Sequence, residues 1–150
     1  MASERWRVLL DASVLVAGTI SRTGASAAIL DLAEAEEIFA VLTQQVLTEA
    51  DRVLLAKFPE RIEPYRLFMK NLNPLLLDDP PLSAVKAAAQ VIHPDDAVIL
   101  AAAKQEPVDY LVTLDVRHFT TPQVRAFLPV PIVTPAEFLD ASRKFWERLS

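Results

Sequence analysis

The chain has no cysteine and only two histidines in 150 residues. The first absence excludes disulfide frameworks, thiolate zinc sites and cysteine nucleophiles together, and the second leaves little for a histidine-rich metal site. Any metal here is expected to be held by oxygen, and carboxylate oxygens favour magnesium or manganese over zinc or copper. No apolar run approaches the roughly 18 residues that a membrane span needs. The opening MASERWRV also lacks the long apolar stretch of a signal peptide. A cytoplasmic protein with no membrane partner is therefore expected. Positive charge is short as well, with 15 lysines and arginines against 20 acids and a net charge of -5. That balance argues against binding nucleic acid through bulk electrostatics. It leaves a nuclease open, because a bound cation reverses the local field of the acids that hold it.

What is present is apolar: 52% of the residues are hydrophobic and 23% charged. Such a composition suits one compact domain over residues 1–150, with a C-terminal strand and helix at about 130–149 forming part of it. Residues 6–10 read as a first strand that stops at Asp11, followed by a short helical turn over 12–17 and a polar loop from Gly18 to Gly24. Residues 25–36 are alanine-rich at helical spacing, and EIFAVLT (37–43) reads as a strand. The helix predicted over 44–58 carries an apolar stripe through Val46, Leu47, Ala50, Val53 and Leu54, and Pro59 stops it. Glu49 and Asp51 border this stripe on opposite sides, so periodicity does not choose between them. A further helix is expected over 60–73, a short strand over 74–77 and a small helix over 82–91.

The chemistry concentrates in VIHPDDAVILAAAKQEPVDYLVTLDVRHF, residues 91–119. Asp95 and Asp96 precede a segment apolar on every side, which reads as a buried helix. The run over 110–114 reads as a strand covered on both faces, ending at Asp115. A short helix to Phe127, an edge strand over 129–133 and a capped final helix with Phe138, Phe145, Trp146 and Leu149 complete the chain. Strands alternating with helices throughout predict a three-layer α/β/α fold with a mainly parallel central sheet.

Each acid has an ordinary reading. Asp95 suits a helix cap or dipole partner, Asp96 is balanced between cap and function, and Asp11 or Asp115 alone would serve as a turn residue. Convergence shifts the balance. In an open α/β sheet, ligands bind beyond the carboxyl ends of the strands, where Asp11 and Asp115 would lie together if their strands are parallel neighbours. Lys57, Arg61, Arg66 and Lys70 form the one modest basic concentration, and the interspersed Glu60 and Glu63 favour a solvated face over a phosphate track.

Four segments in order resemble the motifs of the PIN domain, in particular those of VapC-type toxins. VLLDASVLVAG is similar to the opening motif with Asp11, VLTEADRVL to the helix bearing Glu49, DAVILAAA to the third motif with Asp96, and VTLDVRHF to the fourth with Asp115. The resemblance spans nearly the whole chain. It implies a ribonuclease in which Asp11, Glu49, Asp96 and Asp115 hold Mg2+ or Mn2+, with Ser13 and Thr113 assisting. RNA as substrate and an antitoxin protein as partner follow from the same likeness. A homo-oligomer is expected on other grounds, because the final helix with Phe138, Phe145, Trp146 and Leu149 offers more apolar area than one small sheet face is expected to bury; ordinary core packing of that helix is the other reading. Val116, Arg117 and His118 stand where some relatives carry a further acid, so His118 is expected to be structural or near substrate, not a ligand. Two other readings compete. A PIN-like module that binds RNA or a partner without cleaving would retain the same fold. A receiver-type signalling domain would need an acid pair after the first strand and a lysine after the last functional strand, and Asp11-Ala12 and the residues around Val133 supply neither.

Overall fold

The structure, a computed structural model, describes residues 5–149. Residues 1–4, part of the opening that argued against a signal peptide, and residue 150 lie outside the described residues. Five parallel strands form one sheet in the order β3-β2-β1-β4-β5: β1 Arg7–Leu10, β2 Phe39–Thr43, β3 Leu75–Leu77, β4 Tyr110–Val112 and β5 Ile132–Val133. The helices are α1 Ala12–Ile20, α2 Ala25–Glu34, α3 Gln44–Lys57, α4 Ile62–Leu72, α5 Leu82–Ala88, α6 Pro94–Gln105, α7 Val116–Phe119, α8 Pro122–Phe127 and α9 Pro135–Leu149. Among the described residues no single helix is long and apolar enough to cross a membrane.

Successive residues of a strand point to opposite faces, yet Val8, Leu9 and Leu10 are all fully buried. Both faces of the sheet are therefore covered, as a parallel sheet requires, and the predicted three-layer α/β/α architecture is present. The strand order departs from the 2-1-3-4-5 order of receiver-type domains, which removes that alternative. β5 pairs with β4, and α9 packs on α2 and β5. The prolines at 129 and 131 limit β5 to two residues, because they have no N–H to give a ladder; the Pro131 carbonyl still accepts from Leu111 N at 3.0 Å. Thr134 and Glu137 cap α9 reciprocally, with Thr134 N donating to Glu137 Oε1 at 2.8 Å and Glu137 N donating to Thr134 Oγ1 at 3.1 Å.

Two boundaries and the packing of one helix face differ from expectation, each for a reason outside the local pattern. The expected loop at Gly18 is helix, since α1 runs on to Ile20. Gly18 faces α2 at close range: a Cβ there would lie 2.5 Å from Leu30 Cδ1 and 3.2 Å from the Ser26 carbonyl carbon. Its lack of a side chain serves helix packing. Gly18→Ala is expected to lower stability by about 1 kcal/mol net, since overpacking costs about 1–3 kcal/mol and the gain in helix propensity returns at most about 1. A urea midpoint equal to or above that of the parent would show that Leu30 gives way freely. The strand expected to reach Leu114 ends at Val112, because Leu114 N turns aside to donate to Ser13 Oγ at 3.2 Å and its side chain points into solvent. The last difference is at the C-terminus. Phe138 is fully buried and Phe145 packs on Trp6 with ring centroids 4.9 Å apart, so these two aromatics pack within their own chain, while Trp146 and Leu149 of the same helix remain exposed.

Candidate metal centre

The chain leaves β1 towards β2 on one side and meets β4 on the other, so the gap beyond the ends of β1 and β4 is the topological switch point of the sheet. Leu10 is in register with Val112, and Asp11 N continues the ladder by donating to Val112 O at 3.0 Å. Asp11 then caps α1. Its Oδ1 accepts from Ala12 N at 2.9 Å, and its Oδ2 accepts from Ser13 Oγ at 3.0 Å and Thr113 Oγ1 at 2.8 Å. A carboxylate offers about four lone-pair sites, so these three donors leave one free on Oδ1. Both hydroxyls work in two directions: Ser13 Oγ also accepts from Leu114 N, and the buried Thr113 Oγ1 accepts from Asp115 N at 3.0 Å. They thereby tie Asp11 to the segment that carries Asp115.

Asp96 arrives from the other side, in the first turn of α6. That helix is capped not by an aspartate but by His93, whose Nδ1 accepts from Asp95 N at 3.1 Å; Pro94 occupies the first turn. Asp95 and Asp96 sit in the same turn, where the helix dipole favours negative charge. The Asp96 carboxyl is nonetheless pushed above its ordinary value, first by burial and then by the charges of Asp11 and Asp115. One ligand-capable atom from each of Asp96, Asp115 and His118 lies within 4.8 Å of the others. Asp115 Oδ2 is 2.7 Å from His118 Nδ1, and this hydrogen bond, reinforced by the charge of Asp115, raises the histidine above its ordinary value.

Glu49 stands apart from this group. It lines a cavity of about 340 Å³ with Gln45, Thr48, Arg52 and Asp95, and its Oε1 is 3.4 Å from an Arg52 nitrogen. α3 packs against α6, so this cavity opens on the Asp95 side of the α6 start. The ambiguity left by the helical wheel is resolved: Asp51 turns to α4, where Oδ2 accepts from Arg66 at 3.0 Å. Its charge also reaches Tyr65, whose phenol is pushed up to about 12, mainly by burial.

The donor set fits a divalent cation. Two carboxylates present oxygens at close range, a third is fixed behind them, and the ionisation that burial and repulsion disfavour at Asp96 is what a cation would relieve. His118, expected to be structural or near substrate, stands within reach of both carboxylates. Its signal was the spacing Asp-x-x-His in a segment that forms one helical turn, since residues three apart share a face.

A doubly wound parallel sheet with acids gathered at its switch point defines the class. The chain belongs to the PIN domain family, whose profile matches residues 7–117. Among solved structures it is similar to PAE2754 from Pyrobaculum aerophilum, at 21% identity over 92% of this chain and 90% of that one, with a TM-score of 0.63. It is also similar to VapBC2 from Rickettsia felis bound to a DNA fragment from their promoter, at 14% identity over 85% of this chain and 98% of that one, with a TM-score of 0.62. At these identities the likeness is one of fold. Comparison with curated proteins finds no match.

Proposed function

We propose that this PIN protein is a Mg2+- or Mn2+-dependent endoribonuclease of the cytoplasm, serving as the toxin of a toxin-antitoxin pair. The observation that carries the reading is the meeting of Asp11, Asp96 and Asp115, from three separate elements, close enough that the first and last disfavour ionisation of the second. Asp96 and Asp115 would hold the ion, with the free lone pair of Asp11 Oδ1 turned to the same purpose and Glu49 contributing from the flanking cavity. When bound, a divalent ion would bring a water towards ionisation at neutral pH and offset charge growing on the phosphoryl oxygens. The chain's own part is to hold and orient. Ser13 and Thr113 keep Asp11 from rotating, and His118 fixes Asp115 Oδ2.

Arg66 is already paired with Asp51 and Glu63, which supports reading the basic concentration on α4 as a solvated face. Substrate engagement is then left to the cation and the groups around it. Incubation of single-stranded RNA with the protein in Mn2+ should give cleavage that excess EDTA abolishes; equal cleavage in EDTA would overturn the reading. A non-cleaving PIN-like module would bind RNA or a partner in the same assay and leave the RNA intact. A second copy of the chain stays among the proposed partners, since Trp146 and Leu149 remain exposed on α9, as do Leu55, Leu67, Leu76 and Leu82 on α3, α4, β3 and α5. Sedimentation at tens of micromolar, roughly the range in which a weak dimer forms, should show a dimer, and a monomer there removes this partner.

A further inference from the structure

We propose that His118 is a ligand of the same cation as Asp96 and Asp115, and that its nitrogen makes the centre prefer a first-row transition ion over Mg2+. The proposal rests on the reading of those two aspartates as metal-holding residues. It replaces an all-oxygen donor set with a mixed one.

The geometry comes from a single helical turn. Asp115 precedes α7 and His118 lies within it, three residues on, which sets Nδ1 2.7 Å from Asp115 Oδ2. The His118 side chain is 68% exposed on the solvent side, so its ring is placed by Asp115 and not by packing. Asp96 brings an oxygen within 4.8 Å of both from α6, an element remote in sequence. Adjacent ligands of an octahedral ion at 2.0–2.1 Å stand about 3 Å apart, and opposite ligands about 4 Å apart. The 2.7 Å pair therefore needs to open by only a few tenths of an ångström to admit an ion, and the 4.8 Å limit of the trio lies within an ångström of the widest spacing such an ion allows.

Donor chemistry then decides the ion. Mg2+ demands hard oxygen ligands and gives up its waters reluctantly, so an imidazole in its shell gains it little. Imidazole suits later divalent ions, whose affinity for a given nitrogen and oxygen site rises from Mn2+ towards Co2+ and Ni2+. Two carboxylates and one imidazole thus keep a site that Mg2+ can enter and that Mn2+ and Co2+ enter more tightly. A histidine that merely hydrogen-bonds Asp115 would leave selectivity to the carboxylates.

The test uses the full chain, with Mg2+, Mn2+ and Co2+ as probes, above the pH range in which histidine is protonated. Titration calorimetry should show Mn2+ and Co2+ bound at least about tenfold more tightly than Mg2+. Pulsed electron paramagnetic resonance of the Mn2+ protein should show coupling to a nitrogen-14 nucleus. In His118→Gln, whose exposed position makes misfolding an unimportant outcome, Mg2+ affinity should stay within about twofold, the transition-ion preference should fall by about tenfold and the nitrogen coupling should vanish. The chain's other histidine, His93, caps α6 and is untouched by the substitution. Mn2+ binding without nitrogen coupling in the parent, or with coupling and preference unchanged in the variant, overturns the proposal while leaving the aspartates as ligands. Failure of the parent to bind any of the three ions overturns both.

Discussion

Asp115→Asn should reduce RNA cleavage by at least about a hundredfold while leaving the fold and its melting temperature nearly unchanged. The magnitude follows from what one preorganised charged group contributes when charge develops in the transition state, on the order of 10²–10³ in rate. Asparagine keeps the shape and the neutral oxygen but loses the charge that holds a cation. The local structure does not depend on that charge. Asp115 N is held by Thr113 Oγ1, and that bond survives the substitution. The ion pair that is lost joins two exposed side chains, 68% for His118 and 46% for Asp115. Such pairs add little to folding. Rates measured in Mn2+ across a concentration series separate the two ways activity could fall: a variant rescued by excess metal has lost affinity, and one that is not has lost chemistry. Full activity at the ordinary metal concentration would remove Asp115 from the centre.

The hydroxyls behind Asp11 explain why the sequence motif reads as it does. Ser13 and Thr113 lie a hundred residues apart in sequence, yet both donate to Asp11 Oδ2 and both accept an amide from the segment 113–115. A serine two residues after one strand-end aspartate and a threonine two residues before another look like incidental turn chemistry in a single sequence. Only the pairing of β1 with β4 makes them a shared clasp. The fold class was legible because it depends on local periodicity summed over many elements. Alternating apolar runs and helical stripes indicated the strands and most helices without any knowledge of their neighbours. The positions of Asp11, Asp96 and Asp115 followed from the same logic, since a strand end and a helix start are local features.

What sequence patterns did not show depends on contacts between elements. Gly18 reads as a loop residue until α2 is placed against it, and Leu114 reads as strand until Ser13 takes its amide. Glu49 and Asp51 are equivalent on a helical wheel, and only the side on which α4 packs tells them apart. The place of His118 beside Asp115 depends on one helical turn, α7, whose four residues are too few for a periodic pattern to announce it. The burial of Phe138 is likewise invisible from α9 alone, because Trp6 and Tyr110, which pack with it, are far from it in the chain.

The second large effect is on stability. Asp96→Asn should melt higher than the parent in EDTA yet gain less from Mn2+. Burial, Asp11 and Asp115 all push the Asp96 carboxyl above its ordinary value, so the folded protein binds a proton there more readily than the unfolded chain does. The sign follows from linkage. Below the unfolded pKa both states are protonated and the site costs nothing; as pH rises from there through the folded pKa the cost grows, and above the folded pKa it is fully present. Asparagine carries no charge at any of these values and removes the cost. It also gives up the attraction between Asp96 and the positive end of α6, about 0.3–1 kcal/mol at such a terminus. The net gain in EDTA is therefore the repulsion and burial relieved less that amount, and it should disappear in melts at pH 3, where the parent carboxyl is protonated as well. Metal reverses the order. A ligand bound only by the folded state stabilises it by about 2.7 kcal/mol at a hundredfold excess over its dissociation constant, and the parent should draw the larger share because it keeps the charge the ion needs. Four melts decide the matter: parent and variant, each in EDTA and in Mn2+. If the variant melts lower in EDTA and gains as much from Mn2+ as the parent, Asp96 serves the helix start alone and the centre is built without it.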